Sequence, residues 1–193
     1  LTHLSDILRA ELLYRYGGMW IDATYFVSSP VSDQIFEQTT IYTLKFDTPV
    51  WSSDITQGRW SGNLWCTRKG HRLFQFLMEC FWYYWEMEDE LIDYYLIDDI
   101  IAVAVENLAD VKNELDLCAC SSKKVFQLHK SLNQKYTKER AGQLTKDSVF
   151  YKLNRHTDYH KENIAGEQTM YGYLYHQYET TCHNANTIMK ETL

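Results

Sequence analysis

The first sixteen residues repeat apolar side chains at helical spacing. Ile7, Leu8, Leu12 and Tyr16 form one stripe and Glu11 and Arg15 lie outside it, which predicts an amphipathic helix. Ser5 offers an N-cap oxygen, and Asp6 suits the positive end of the helix dipole. Gly17-Gly18 then stops the helix, because glycine takes the left-handed cap conformation without a Cβ penalty. Met19-Trp20-Ile21 reads as a short apolar strand ending at Asp22. β-branched and aromatic residues predict further strands at 40–46 and 62–67, and short late ones at 125–129 and 149–153. A long helix is expected over 70–87, with Leu73, Leu77, Cys80 and Tyr84 along one side. A second, over 89–107, is apolar almost all round and is therefore expected to be buried. The polar tract 133–146 reads as a surface loop. No internal repeat or low-complexity linker interrupts the pattern, so 1–193 reads as one mixed α/β domain.

Composition narrows the function classes. The 193 residues carry 26 acidic against 19 basic side chains, a net charge of -7, which excludes a nucleic-acid binder on electrostatic grounds. Aromatics reach 15%, an excess that suits a stacked core or a site for sugars, whose C–H faces pack on rings. No run approaches the roughly 20 apolar residues of a membrane span, so no transmembrane segment is expected and contact with a membrane would be peripheral. The five cysteines are irregularly spaced and lack a C-x-x-C pair, which argues against structural zinc and for a reducing compartment. Cys80, inside an apolar helical run, reads as a buried thiol. The expected location is cytoplasmic, with the inner face of a membrane as its outer limit. Phosphate-loop, serine-hydrolase and zincin motifs do not occur.

Candidate chemistry gathers first around Asp6, Arg9 and Asp22. Asp6 and Arg9 are three apart on a helix and share a face. The helix climbs roughly 16 Å from Asp6 to the glycines, and the strand returns about 13 Å. If the strand runs back beside the helix, two carboxylates and a guanidinium meet at a strand end, where open α/β folds bind ligands. The competing reading is an ion pair on a solvated face plus a loop aspartate. A second group, Asp93, Asp98 and Asp99, lies in an otherwise apolar run, where an isolated buried carboxylate is costly. Asp98 then either faces a pocket, as acceptor-binding group or base, or bonds a backbone group or a cation such as Lys152. Asn63 follows Ser61-Gly62 and is either a sugar- or phosphate-binding amide or a turn residue. Trp20 and Trp60 are candidate stacking platforms for sugar rings, whereas Trp82 and Trp85 read as core. Lys152 suits a diphosphate or the surface. His156, Asp158 and His160 form a ligand-type run that reads foremost as an exposed loop.

These residues carry a resemblance. The runs Ser5-Asp6-Ile7-Leu8-Arg9 and Leu13-Tyr14-Arg15-Tyr16-Gly17-Gly18-Met19-Trp20-Ile21-Asp22-Ala23-Thr24 resemble the signature of capsular polysaccharide synthesis glycosyltransferases, which are similar to DXD-type sugar transferases of the GT-A fold. Trp60 to Asn63, Lys69-Gly70-His71, Tyr94 to Asp98 and Phe150 to Leu153 follow in family order. The resemblance implies a GT-A-like α/β nucleotide-diphospho-sugar transferase and transfer of a hexose from a nucleotide-sugar donor to a saccharide acceptor, with retention of configuration. It implies donor-sugar contacts from Asp6 and Arg9, further substrate contacts from Trp20, Thr24, Trp60, Asn63 and Lys152, and catalytic roles for Asp22 and Asp98. Asp22 matches the first DXD aspartate, which holds a divalent cation, Mn²⁺ or Mg²⁺, on the donor diphosphate. The second aspartate is Thr24 here, a weaker ligand than a carboxylate. The signature starts at residue 5, which leaves no room for the βαβ half that grips the nucleoside, so the chain reads as the C-terminal portion of a longer GT-A domain. The alternative is a non-enzymatic, degenerate transferase-like module for carbohydrate binding or assembly.

Overall fold

Gly17 and Gly18, at φ 68° and 88°, turn the chain from its first helix into its first strand. A Cβ at Gly17 would lie 2.5 Å from the Lys69 nitrogen and 2.8 Å from the Thr67 oxygen, so the turn needs glycine for packing as well as for φ. The computed structural model describes residues 2–32, 35, 40–47 and 55–192, with the backbone alone from 183. Two compact units are present, Leu1–Ala23 with Val31–Ser121, and Thr24–Pro30 with Ser122–Leu193.

The first unit holds α1 (Thr2–Tyr16), β1 (Gly18–Ile21), β3 (Ile41–Thr43), β4 (Leu64–Thr67), α2 (Arg72–Met87), α3 (Leu96–Asn107) and α4 (Ala109–Leu117). Its sheet is antiparallel in the order β1-β4-β3, with Gly18 opposite Thr67, Ile21 opposite Leu64 and Ile41 opposite Thr67. The central strand is buried throughout, as a strand paired on both sides and covered by helices must be. Trp65, Phe74, Leu77, Phe81 and Ile101 anchor the core, with Trp65 and Phe74 edge to face at 5.6 Å. Each such side chain contributes roughly 1.5–3 kcal/mol by burial. His71 caps α2, its Nδ1 accepting from the Leu73 N–H.

The second unit pairs β2 (Tyr25–Val27) with β5 (Phe150–Lys152), antiparallel, with Tyr25 opposite Lys152. Around this ribbon lie a 3₁₀ turn (Lys123–Phe126), α5 (Leu128–Ser131), α6 (Lys138–Asp147) and α7 (Met170–Thr192). Leu128, Leu132, Tyr151 and Met170 form its small core. Tyr136 stacks on Tyr173 at 4.3 Å. No helix among the described residues is long and apolar enough to cross a membrane.

The mixed α/β class and most elements follow the pattern of the sequence, with physical exceptions. α1 starts at Thr2, so Ser5 and Asp6 lie inside it rather than at its cap. Its buried face is Asp6, Arg9, Ala10 and Leu13, while Leu8, Leu12 and Tyr16 are exposed. The Asp6–Arg9 pair is what allows charged side chains to turn inward. The helix expected from residue 89 begins only at Leu96. Before it, the Tyr84 hydroxyl donates to the Glu90 carbonyl and accepts from the Ile92 N–H, and Asp93 Oδ1 accepts from the Tyr95 N–H. These bonds hold an irregular turn and leave Asp98 and Asp99 in the first helical turn, where the dipole favours them. The strand expected at 125–129 is the 3₁₀ turn, capped by Ser122, followed by α5. The tract 133–146 lies at the surface but contains α6, whose cap is Thr137 and which buries no residue. Cys80 is half-buried rather than buried, and Trp82 is exposed rather than core.

Candidate functional site

The strand β1 does run back beside α1, and its end brings Asp22 to the buried face of the helix. Arg9 Nη1 lies 3.2 Å from Asp6 Oδ1 and Arg9 Nη2 lies 3.2 Å from Asp22 Oδ1. One guanidinium therefore spans both carboxylates, and the expected meeting of the three side chains is present. The Trp20 indole N–H donates to the same Asp22 Oδ1 at 3.0 Å, and the guanidinium sits 5.2 Å from the Trp20 ring. Trp20 and Asp22 are two apart on a strand and so point to one side. The Asp22 N–H donates to the Asn63 carbonyl at 3.1 Å, carrying the β1–β4 ladder one step further and fixing the strand end.

Exposure divides the labour. The side chains of Asp6 and Arg9 are 7% and 6% exposed, that of Asp22 30%. Asp22 is the group of the three that solvent reaches, and the buried Asp6–Arg9 pair orients it. Burial raises the Asp6 pKa above the usual carboxylate value, with the Asp22 charge acting in the same direction. Arg9 and His3 oppose the rise without cancelling it. His3, whose Nδ1 is 3.6 Å from Asp6 Oδ2, escaped the sequence reading. Its spacing three residues before Asp6 was the available signal. Arg9 Nε is buried and has no hydrogen-bond partner among the described residues.

The second group of expected site residues is arranged differently. Trp60 is 2% exposed, so stacking on a sugar ring is closed to it. Its indole N–H donates to Asp98 Oδ1 at 2.9 Å, and Arg59 covers its ring at 4.7 Å. Asp98 is buried in turn, and a Cβ at Gly62 would lie 2.9 Å from its Oδ1. Trp60 is thus one partner of the buried Asp98. Asn63 is half-buried, its Oδ1 accepting from the Ser61 hydroxyl at 2.9 Å. Thr24 and Lys152 belong to the second unit, where Lys152 Nζ donates to Thr24 Oγ1 at 2.6 Å and stands 5.0 Å from the Tyr25 ring. His156, Asp158 and His160 lie in a loop whose backbone is held by Asn133, which donates to the Asp158 carbonyl and accepts from the His160 N–H.

The side chains expected near a divalent cation already have partners within the protein. Hard cations take six or more oxygen ligands. Asp22 Oδ1 already receives two donors, the Asp6 carboxylate lies between Arg9 and His3, and the Thr24 hydroxyl accepts from a lysine. Among the described residues no group of three or more His, Cys, Asp or Glu side chains is arranged to hold a metal.

The fold and cluster define a mixed α/β protein whose strand end presents a partly exposed carboxylate on a buried ion pair. Over residues 1–174 the sequence matches the family described as capsular polysaccharide synthesis protein. The chain belongs to that family, which bears out the broader part of the resemblance. Neither curated proteins nor solved structures gave a match.

Proposed function

We propose that the protein is a glycosyltransferase of capsule synthesis, moving a hexose from a nucleotide-sugar donor to a saccharide acceptor on a GT-A-like scaffold. The observation that carries this reading is the Asp6–Arg9–Asp22 bridge at the end of β1, in a chain of the capsular polysaccharide synthesis family. A carboxylate that is anchored yet reachable accepts hydrogen bonds from sugar hydroxyls, and charge-assisted bonds of this kind are the strong ones. Asp22 is the contact to the donor sugar, with its backbone hung on Asn63 and its side chain set by Arg9 and Trp20. Asp6 and Arg9 act by keeping that carboxylate in one place, so that the sugar is oriented for attack before reaction. Asp98 orients the 60–63 turn through Trp60 and Gly62. No step is assigned to a divalent cation.

The test follows nucleoside diphosphate released from a panel of nucleotide sugars in the presence of oligosaccharide acceptors. Asp22→Asn keeps shape and removes charge, and turnover is expected to fall about 100-fold, the scale on which a single electrostatic contact at a reacting centre acts. Turnover indifferent to Asp22→Asn would refute the assignment. Tight oligosaccharide binding without diphosphate release would favour the carbohydrate-binding or assembly module instead.

A further inference from the structure

Charge is divided unevenly along the chain. Residues 1–121 hold 19 of the 26 acidic side chains and 8 of the 19 basic ones. From Leu73 to Val111 there are ten acids and no Lys or Arg. Within this stretch the end of α2 and the turn after it expose large apolar side chains. Trp82, Tyr83, Met87, Ile92, Tyr94 and Tyr95 are each more than half exposed, an unusual concentration on one short segment. Glu86, Glu88, Asp89, Glu90 and Asp93 stand among them, all exposed.

This surface is built rather than frayed. The Tyr84 hydroxyl ties Glu90 to Ile92, Tyr94 packs edge to face on Tyr95 at 5.0 Å, and His3 meets Tyr94 edge-on at 6.0 Å. His3 also lines a recess of about 280 Å³ between α1 and α2, together with Leu4, Ile7, Phe81, Trp82 and Trp85. The recess is apolar on every side and large enough for one or two aliphatic side chains. Trp82 belongs to both recess and exposed face, so the two form one continuous surface.

We propose that this face docks an amphipathic helix of a partner protein, one that carries Lys or Arg beside its apolar stripe. Apolar anchors of the helix enter the recess against Trp82 and Trp85, as in helix-in-groove recognition. Its cations meet the acids of 86–93, which steer association and set orientation. The same acids repel an anionic lipid surface, and a second copy would bring its own acidic face against this one. A cationic protein segment satisfies both the apolar and the charged parts of the surface.

The probe is a synthetic Leu/Lys amphipathic helix, titrated calorimetrically into the full chain. Two control peptides carry Glu for Lys, or Ser for Leu. The Leu/Lys helix is expected to bind, more weakly as salt rises, and the two controls are expected to bind at least tenfold more weakly. Trp82→Ala, an exposed position where the fold is not at stake, should weaken binding roughly 30-fold, as for an interfacial anchor. Glu88→Gln, Asp89→Asn and Glu90→Gln together should weaken it about tenfold, and Glu139→Gln in the second unit not at all. Equal binding by either control peptide, or by the Trp82 variant, overturns the proposal. So does sedimentation showing a dimer that Trp82→Ala dissolves, which would assign the face to a second copy. Binding to anionic vesicles that Trp82→Ala abolishes, without binding of the Leu/Lys helix, would assign it to a membrane.

Discussion

Replacing Arg9 with leucine removes the guanidinium that bridges Asp6 and Asp22 and leaves the aliphatic volume largely filled. Asp22 keeps contact with water and loses little, whereas Asp6 is left 5% exposed with a charge that no guanidinium offsets. Breaking a buried pair from one side costs about 3–5 kcal/mol, a large share of the 5–15 kcal/mol that holds a typical domain. The Asp6 pKa, already raised by burial, rises further without Arg9. A carboxyl with a raised folded pKa stabilises the fold when protonated, and that stability is lost as pH rises through the folded value. The penalty of Arg9→Leu is therefore full at pH 7 and shrinks as pH falls through the raised Asp6 value. All six tryptophans lie at positions 20 to 85, so their fluorescence reports the first unit alone during urea unfolding. Arg9→Leu combined with Asp6→Leu removes the orphan charge, and most of the loss should be recovered, since apolar replacement of a whole buried pair is often neutral. A loss below about 1 kcal/mol at pH 7, or no recovery in the double variant, would refute the account of Arg9 as the support of Asp6.

Three further outcomes are expected from the fold. Gly17→Ala forces a Cβ to within 2.5 Å of the Lys69 nitrogen at a φ of 68°, and should lower the fluorescence-detected unfolding free energy by about 1–3 kcal/mol. Gly142→Ala, in exposed α6 with open space around it, should instead stabilise by up to about 1 kcal/mol, read by circular dichroism. Burial lowers the His71 pKa below 6.5, outweighing the nearby Glu114. Its neutral form caps α2, so this stability is complete above pH 6.5 and lost as pH falls from there through the folded value. The decline in first-unit stability below pH 6.5 should flatten in His71→Gln, and an unchanged slope would remove His71 from the account.

The candidate site was legible because it rests on counted spacings. Three residues from Asp6 to Arg9, a glycine pair and a four-residue strand together deliver Asp22 to the helix face, whatever packs elsewhere. The facing of α1 was not legible, because an apolar stripe outweighs two charges until their mutual pairing is known. Trp60 and Asp98 illustrate the same blindness from the other side. Each was a candidate for a ligand, and a hydrogen bond joins them across 38 positions of sequence. The turn at 88–95 depends on a tyrosine hydroxyl reaching over six and eight residues, which no periodicity records. α6 lacks a buried face and so lacks the pattern by which a helix is recognised. Small antiparallel sheets such as those among the described residues belong to many folds, so strand pattern alone does not single out one scaffold.

The hang of Asp22 on the Asn63 carbonyl bears on how such a site can change over evolution. One residue inserted in α1 between Arg9 and Gly17 would swing Asp6 and Arg9 about 100° around the helix axis. One inserted in β1 would turn Trp20 and Asp22 to the opposite face of the sheet. Both arms are thus measured in whole residues from a shared glycine pivot, and lengthening either arm dismantles the cluster at a stroke. Diversification at this place must proceed by exchange of side chains at constant length, with insertions and deletions confined to connections outside 6–22.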